Sequence, residues 1–224
     1  MKQGTLILTI CMCFAVITVA HAFDNKLMIT NVTDTQMTIS WRTDNHCTGN
    51  VLLSDPKKAI EKTFDDDRGK NFIGDTHYIT LSGLSRNTDY FFSILSGDQM
   101  DDNNGQRYQA STGSNIIPMG SFQPAGQVLL NDGKTFASNA IVYIVISNET
   151  EQSAPLSTLV DAGGYWFLEL VNARRVDNEQ LFKVSTSDTL SIRIEGGAMG
   201  TNEMEYIARD NNGGKNLYSP IVLH

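Results

Sequence analysis

The side chains that could carry out catalysis are few in this sequence and lie far apart. Three histidines follow residue 22, at His46, His77 and His224, and each is isolated from the others. Metal centres and catalytic triads need histidine, cysteine or carboxylate side chains grouped around one reacting atom. The sequence also contains no serine elbow between a strand and a helix and no phosphate-cradling glycine loop. These observations predict a protein that is not an enzyme and carries no cofactor.

Acidic loops offer the remaining chemistry, because calcium prefers several oxygen ligands. Asp98, Asp101 and Asp102 fall in one polar run and are the calcium candidates. Their spacing departs from that of a calcium-binding loop, since counting back from Gly105 puts Met100 at the first ligand position. A solvated turn is therefore the simpler interpretation, and no other metal site is predicted.

Tyrosines that project from a sheet could instead stack on sugars, because their rings combine an apolar face with a polar edge. Four such residues are available, at Tyr108, Tyr143, Tyr165 and Tyr218. Strand tyrosines also commonly cover the face of a sheet. Glycan binding is therefore an alternative that these residues leave open.

The first 22 residues have the pattern of an export signal. Lys2 precedes an apolar run over residues 6–20, and Ala20, His21 and Ala22 give the small-x-small pattern that signal peptidase accepts. The run is short for a bilayer span, which takes roughly 20 apolar residues, although an uncleaved anchor is the alternative. We therefore expect an exported protein that is periplasmic, on the cell surface or extracellular, with no membrane span after cleavage.

Charge and cysteine content narrow the partners and the class of fold. The formal net charge of −8 repels phosphate backbones and anionic lipids, so nucleic acid is not an expected partner. After the signal the only cysteine is Cys47, so no internal disulfide can form. Each domain must therefore be held together by its own hydrophobic core.

Hydrophobic alternation predicts strands along most of the chain and almost no helix. Met37, Ile39 and Trp41 alternate with Thr38 and Ser40. A strand places such alternate residues on opposite faces, so we expect the first set in a core and the second toward solvent.

Later segments extend the same pattern. Residues 140–146 are apolar on both faces, which indicates a central strand covered on both sides. Trp166, Leu168 and Leu170 alternate in the manner of a further strand. Residues 55–62 are the only stretch with a helical composition, and we expect a turn or one short coil there.

A polar, proline-containing break divides the strands into two groups. Residues 109–115 are small and polar, and Pro118, Gly120 and Pro124 follow them. We therefore predict a signal peptide over 1–22, a sandwich over 23–113, a linker over 114–125 and a second sandwich over 126–224. The expected fold class is all-β, with two β-sandwich domains.

Three segments of the first domain form a recognisable series. Residues 37–43 contain Trp41, residues 48–53 form the next apolar run, and residues 76–92 contain Leu84 and Tyr90. The series resembles a fibronectin type III domain, with Trp41 as its core tryptophan. The resemblance implies a leucine and tyrosine corner, in which Tyr90 enters the core and bonds back to the chain near Leu84. The segments are also similar to the non-catalytic N-terminal domain of purple acid phosphatases.

Three segments of the second domain follow another family order, over residues 126–133, 140–143 and 159–168. They resemble a carboxypeptidase-regulatory or transthyretin-like sandwich. Residues 161–164 would form a tight hairpin in which Gly163 and Gly164 supply positive φ, and Trp166 would lie in the strand that follows. Such domains act as stalks, spacers or folding partners at cell surfaces, which the resemblance implies here.

Together these features predict an exported, non-catalytic protein-interaction or structural module of the cell envelope or extracellular space. Exposed sheet edges could pair with envelope or extracellular proteins, or with a second copy of the chain. The alternative is a carbohydrate-binding or accessory module that works beside a separate hydrolase. An enzyme whose site is not evident in the sequence is a third hypothesis.

Overall fold

The computed structural model describes residues 27–55, 60–118 and 120–224, and the predicted signal peptide lies outside these ranges. Strands dominate, which confirms the all-β fold class. The first eight strands are β1 (Leu27–Thr30), β2 (Gln36–Cys47), β3 (Gly49–Asp55), β4 (Ile60–Asp65), β5 (Gly74–Ser82), β6 (Asp89–Ser96), β7 (Gln99–Asp101) and β8 (Tyr108–Ser111). The other seven are β9 (Ala125–Leu129), β10 (Ile141–Ser147), β11 (Leu156–Leu159), β12 (Tyr165–Phe167), β13 (Thr189–Glu195), β14 (Thr201–Ile207) and β15 (Ile221–Val222). Two short 3-10 turns cover Leu170–Asn172 and Gly197–Met199.

Strands β1–β8 form the N-terminal sandwich. Its first sheet has the order β1-β2-β5, and its second has the order β4-β3-β6, with β7 and β8 both paired to β6. The core between the sheets is built from alternate residues of the central strands, such as Met37, Ile39 and Trp41 of β2. Burying one residue in two along each strand is the physical reason for the alternation in the sequence.

Strands β9–β15 form the C-terminal sandwich. A four-stranded sheet, β11-β10-β13-β14, packs on a three-stranded sheet, β12-β9-β15. The core holds Val142, Ile144 and Ile146 of β10 together with Trp166 and Phe182. Among the described residues no helix is long and apolar enough to cross a bilayer.

The expectation that Thr38 and Ser40 face solvent is wrong, because both are buried. They lie on the outer face of β1-β2-β5, and this face packs against the C-terminal sandwich. The same packing covers the second face of β10, where Ile141 and Tyr143 meet Tyr78 of β5. Coverage of β10 on both sides is therefore confirmed, and the N-terminal sandwich provides the second cover.

Two other local expectations are corrected. Within the predicted turn or coil over 55–62, Asp55 belongs to β3 and Ile60 to Lys62 start β4, with Asp55 paired to Ile60. Residues 56–59 of that segment lie outside the described residues. Strand β12 ends at Phe167, and Leu170 begins a 3-10 turn. Glu169 caps this turn, since its carboxylate accepts the backbone N–H of Val171, so the alternation of apolar residues continues without a strand.

The start of the segment between the two sandwiches is bonded to both of them. Asn115 donates its amide to Asp34 of the N-terminal sandwich at 2.7 Å. Ser114 donates its hydroxyl to Glu179 of the C-terminal sandwich at 2.6 Å, and its carbonyl accepts the Arg174 guanidinium at 2.9 Å. These bonds hold the connection against both halves of the molecule.

Candidate interaction surfaces

The residues that the fibronectin resemblance singled out lie in the N-terminal core. Trp41, Leu84 and Tyr90 are all buried. The Tyr90 hydroxyl accepts the backbone N–H of Ser85 at 2.7 Å. The hydroxyl therefore bonds to the chain beside Leu84, and it does so as the acceptor. The bond ties β6 to the loop just after Leu84 and satisfies a buried polar atom.

The residues singled out in the second domain surround one turn and its strand. Gly164 has a φ of 78°, whereas Gly163 lies outside the left-handed region, so only one of the two glycines is needed for its backbone freedom. Trp166 is buried and stacks on Tyr218, with ring centroids 6.2 Å apart. The ring also rests on Gly126, where an added Cβ would lie 3.0 Å from Trp166 Nε1.

Two of the three calcium candidates, Asp101 and Asp102, accept hydrogen bonds from residues of their own turn. Asp101 accepts the Asn103 N–H and the Tyr108 hydroxyl, each at 2.9 Å. Asp102 accepts the Gly105 N–H at 2.8 Å, and Asp98 is exposed. In the part of the chain that the structure describes, no group of three or more His, Cys, Asp or Glu side chains is placed to hold a metal ion. The geometry is that of a self-capped turn.

The four tyrosines considered for sugar stacking separate into covered and exposed residues. Tyr143 and Tyr218 are buried, and Tyr108 is half-buried beside Asp101. Tyr165 is 44% exposed. Only Tyr165 of the four therefore presents a substantial part of its ring to an external ligand.

Three exposed aromatic side chains lie on the outer face of the β12-β9-β15 sheet. Tyr165 and Phe167 are two residues apart on β12, so both point away from the core that holds Trp166 between them. Phe136 pairs with Leu129 of β9 and lies on the same face. Phe136 is 46% exposed and Phe167 is 64% exposed. We call Phe136, Tyr165 and Phe167 the aromatic face.

The local sequence explains why these rings lie together. Tyr165 is opposite Gln127 of β9, and Leu129 follows two residues later on the same side. The Phe136 ring rests on Gly164, where an added Cβ would lie 2.8 Å from the ring. A glycine at this position therefore makes room for Phe136 beside Tyr165.

The polar groups next to the aromatic face are used within the protein. Gln127 donates its amide to the Gly163 carbonyl at 3.1 Å. Asp161 Oδ1 accepts the N–H groups of Gly163 and Tyr165, each at 2.8 Å. These bonds leave an apolar surface beside satisfied polar groups, which suits contact with another apolar surface.

A cysteine, a histidine and an aspartate also come together, which sequence spacing did not predict. Cys47 Sγ lies 3.5 Å from His77 Nε2, and His77 Nδ1 lies 3.9 Å from Asp66 Oδ2. Cys47 ends β2 and is partly exposed, whereas His77 and Asp66 are buried. Cys47 and His77 are brought together by the pairing of β2 with β5, and Asp66 is held beside β5 because its carboxylate accepts the Tyr78 N–H at 3.0 Å.

The geometry does not assemble this group into a nucleophilic triad. The distance of 3.9 Å is too long for a hydrogen bond between His77 and Asp66. Asp66 is instead held by Arg68 through contacts of 2.8 and 2.9 Å. Burial, the largest influence, lowers the pKa of His77 to about 4, although the Asp66 charge acts to raise it. A neutral imidazole with so low a pKa is a poor base for forming a thiolate.

The interface between the sandwiches is a second surface of dense polar contacts. Ser40 and Tyr143 share a hydrogen bond of 2.9 Å across it, and the Tyr78 hydroxyl donates to the Ser157 carbonyl at 3.1 Å. Burial raises the pKa of both tyrosines above the ordinary value. The interface is therefore closed by neutral hydroxyl groups and positions the aromatic face relative to the N-terminal sandwich.

Comparison with known proteins identifies no family, and the similar solved structures have low identity and low TM-scores. No family model and no curated protein matches the chain. Among solved structures, the FN1–FN3 domains of chicken CNTN1 are 12% identical with a TM-score of 0.30, covering 88% of this chain and 66% of that one. A two-domain fibronectin type III segment of chicken tenascin is 11% identical with a TM-score of 0.28, covering 82% and 98%. The adhesin InvE of Yersinia pseudotuberculosis is 11% identical with a TM-score of 0.21, covering 80% and 57%.

Proposed function

We propose that the chain is an exported, non-catalytic interaction module that binds a protein partner through the aromatic face. The observation that carries this proposal is the exposure of Phe136, Tyr165 and Phe167 on one side of one sheet, from 44% to 64%. Exposed apolar patches of this kind are uncommon on monomers and are typical of binding surfaces. Aromatic residues are also enriched among the residues that dominate binding energy.

The support beneath the aromatic face favours binding without rearrangement. Trp166 fixes β12 from below, and the hydrogen bonds from Asp161 fix the turn that precedes it. Rings held in this way lose little conformational entropy when a partner covers them. The same rigidity suits a structural subunit that holds two partners in a fixed relative position.

A protein partner fits this surface better than a glycan does. A sugar presents many hydroxyl groups, and each one that loses water needs a polar partner. Gln127 and Asp161 are already engaged with the turn. Glycan binding is the second candidate function, because the exposed ring of Tyr165 could stack on one sugar and its hydroxyl could bond to it.

Three further parts of the proposal rest on the sequence. Residues 1–22 would direct export to the periplasm, cell surface or extracellular space. Residues 114–125 would join two domains over 23–113 and 126–224. The likeness of the second domain to carboxypeptidase-regulatory or transthyretin-like sandwiches, and of the first to the N-terminal domain of purple acid phosphatases, would fit an accessory role.

Site-specific crosslinking in cells that produce the protein tests the aromatic face. The photoreactive residue p-benzoylphenylalanine replaces Phe167, and a matched control carries it at Val176, which is 67% exposed and lies outside the face. We expect a discrete crosslinked protein from position 167 and none from position 176. Equal labelling at the two positions, or none at 167, would contradict a protein-binding role for this face.

A glycan array separates the second candidate function from the first. Binding to defined sugars that disappears in Tyr165→Ala and remains in the control Lys134→Gln, which removes a charge but no aromatic ring, would establish glycan recognition. An array without signal, together with a crosslinked protein at position 167, would leave the protein partner as the function of the aromatic face.

A further inference from the structure

The two edge strands of the β11-β10-β13-β14 sheet differ in how far the rest of the protein covers them. At the β11 edge, Asn31 of the N-terminal sandwich donates its N–H to the Pro155 carbonyl at 3.2 Å. Its side chain accepts the Ser157 N–H at 2.9 Å and donates to the Ser157 carbonyl at 3.0 Å. That edge is therefore closed by the protein itself, whereas β14 forms the other edge, and no strand in residues 27–55, 60–118 or 120–224 lies beyond it.

The register of β14 decides which of its backbone groups point outward. The Ala208 N–H donates to the Asp188 carbonyl on the β13 side. The backbone N–H and carbonyl groups of even-numbered residues along β14 therefore point toward β13. Thr201 confirms the alternation at the other end, because its N–H and carbonyl bond to His224, away from β13. Odd-numbered residues of β14 therefore direct their backbone groups to the open side.

Part of that open side is already paired and part is not. Thr201 is bonded to His224, and the Ile207 carbonyl accepts the Tyr218 hydroxyl at 2.8 Å. The N–H and carbonyl groups of Glu203 and Glu205, and the N–H of Ile207, have no partner among the described residues. These groups form a short continuous row at the edge, of the kind on which an added strand can pair.

Edge strands are commonly protected by shortness, proline or a bulge, and β14 has none of these. It is seven residues long, contains no proline, and pairs with β13 in continuous register from Thr201 to Ile207. The protection that remains is charge, since the side chains of Glu203 and Glu205 are exposed on the same face. Charge discriminates among partners and does not exclude all of them.

The charges select the kind of strand that fits. A second copy paired antiparallel through the middle of β14 would bring Glu203 and Glu205 opposite glutamates, and like charges directly opposite destabilise a pair. Glu203 has Arg193 at 3.6 Å, whereas Glu205 has only the Ser191 hydroxyl at 3.4 Å. Glu205 is therefore the residue that gains most from an incoming cation.

We propose that β14 accepts an extended segment of a different protein as a fifth strand of this sheet, with lysine or arginine at alternate positions opposite Glu203 and Glu205. The main chain of the segment supplies hydrogen bonds to the open backbone groups, and the cations set its register. This surface lies in the sheet opposite the aromatic face, so it is an additional binding site with its own outcome.

Binding of a defined peptide tests the proposal. The probe is a fluorescein-labelled, end-capped heptapeptide in which lysine and valine alternate, added to the full-length protein at low salt and followed by anisotropy. We expect saturable binding that Glu205→Gln weakens by about threefold, in line with an exposed charge pair of under about 1 kcal/mol. A peptide with glutamate in place of lysine serves as the charge control and should not bind.

Backbone methylation separates strand pairing from charge attraction. In antiparallel pairing, the lysines opposite Glu203 and Glu205 direct their N–H groups toward β14, and the valines direct theirs away. N-methylation of the lysine backbone should lower affinity by about tenfold or more, whereas N-methylation of the valines should leave it unchanged. Both peptides have the same charge, so equal affinity would overturn the proposal, as would absence of binding by the parent peptide.

A substitution in the protein provides the complementary test. Glu205→Pro removes an N–H that points to solvent, which an edge strand tolerates, and should abolish peptide binding. Glu205→Gln is its matched control, because it retains the N–H. Replacement of Phe167 by Ser should leave peptide binding unchanged, so failure at this edge and failure at the aromatic face can be told apart.

Discussion

Two outer sheet faces of this protein differ in composition and in whether they are buried. The outer face of β1-β2-β5 presents hydroxyl side chains, including Thr38, Ser40 and Tyr78, and the C-terminal sandwich buries all three. The outer face of β12-β9-β15 presents the aromatic face, and nothing in the described chain covers it. Composition alone would assign burial the other way round.

The difference shows that burial follows complementarity more closely than hydrophobicity. Each hydroxyl on the covered face meets a partner, such as Ser40 with Tyr143 at 2.9 Å and Thr30 with Ser157 at 2.6 Å. A buried polar group that keeps a hydrogen bond costs little, whereas one left unpaired costs about 1–3 kcal/mol. The aromatic face has no such matched surface among the residues that the structure describes, which is why a partner is expected to supply it.

The largest expected effect comes from breaking the covered face at its centre. Ser157 is buried and contacts Thr30, Asn31 and Tyr78. Ser157→Leu overpacks this site and removes the partner of the Thr30 hydroxyl, while Asn31 and Tyr78 keep their bonds to the Ser157 carbonyl. The free energy of unfolding should fall by about 3–5 kcal/mol. Urea unfolding measures the change.

A smaller substitution at the same residue supplies the control. Ser157→Ala adds no volume and should cost about 1–3 kcal/mol, the cost of leaving the buried Thr30 hydroxyl unpaired. Equal unfolding midpoints for wild type and Ser157→Leu would mean that the covered face does not contribute to stability.

Acid should weaken the N-terminal sandwich beneath the covered face. Burial lowers the pKa of His77 from 6.5 to about 4, so between these values the unfolded chain binds a proton that the folded chain does not. Stability from this residue is complete above pH 6.5 and is lost as the pH falls toward 4. The full contribution is about 3 kcal/mol.

Urea midpoints measured at intervals from pH 7 to 4 give the slope. His77→Gln removes the titrating group and should flatten the curve over this window. The charged groups that act on His77, which are Asp66, Arg68 and Asp75, are retained in both proteins. A slope that is identical in the variant would contradict the assignment. NMR titration of the His77 ring, expected to remain neutral down to about pH 4, provides a direct check.

A smaller change beneath the aromatic face sharpens the comparison from the other side. Gly126→Ala places a methyl group about 3.0 Å from the Trp166 ring, and Tyr218 stacked on that ring restricts its movement. The free energy of unfolding should fall by about 1–3 kcal/mol. The control is Ala198→Ser, a substitution in an exposed turn. Gly213→Ala would not serve, because the positive φ of Gly213 makes a substitution there strained. A Gly126→Ala protein as stable as wild type would mean that the core yields easily here.

The smallest effect on stability is expected on the aromatic face itself. Phe136→Ser and Phe167→Ser alter exposed side chains, so unfolding free energies should change by no more than about 0.5 kcal/mol each. Partner crosslinking or co-purification should nevertheless be lost. Thermal unfolding and partner recovery measured on the same preparations decide the matter, and a large loss of stability would indicate a structural role for these rings.

Much of the fold could be predicted from local pattern. The alternation over Met37, Ile39 and Trp41 predicts β2, and the two-sided apolar run over 140–146 predicts a doubly covered strand. The pattern fails where a buried side chain does not belong to a strand, and where a strand has the composition of a helix. Leu170 is buried in a 3-10 turn, and Ile60 is in a strand although its neighbours have a helical composition.

The candidate site was harder to predict from the sequence than the fold was. Tyr165 was named among four tyrosines, but nothing local distinguished it from Tyr143, which faces the other sandwich. Phe136 and Phe167 went unnoticed, because their proximity depends on the pairing of the chain near Leu129 with β9 and β12. An alternation in which Tyr165 and Phe167 flank Trp166 was the one available signal that both sides of β12 are apolar.

Most of the strands, the two cores and the turn chemistry could be predicted from local pattern, because they depend on side-chain period and on residues close along the chain. Which sheet faces and edges are covered depends on the docking of one sandwich on the other, which local pattern does not encode. Ser157 meets Tyr78 and Thr30 across more than seventy residues of chain, and such contacts follow from how one sandwich docks on another. The same docking closes the β11 edge, while the aromatic face and the β14 edge remain open to partners.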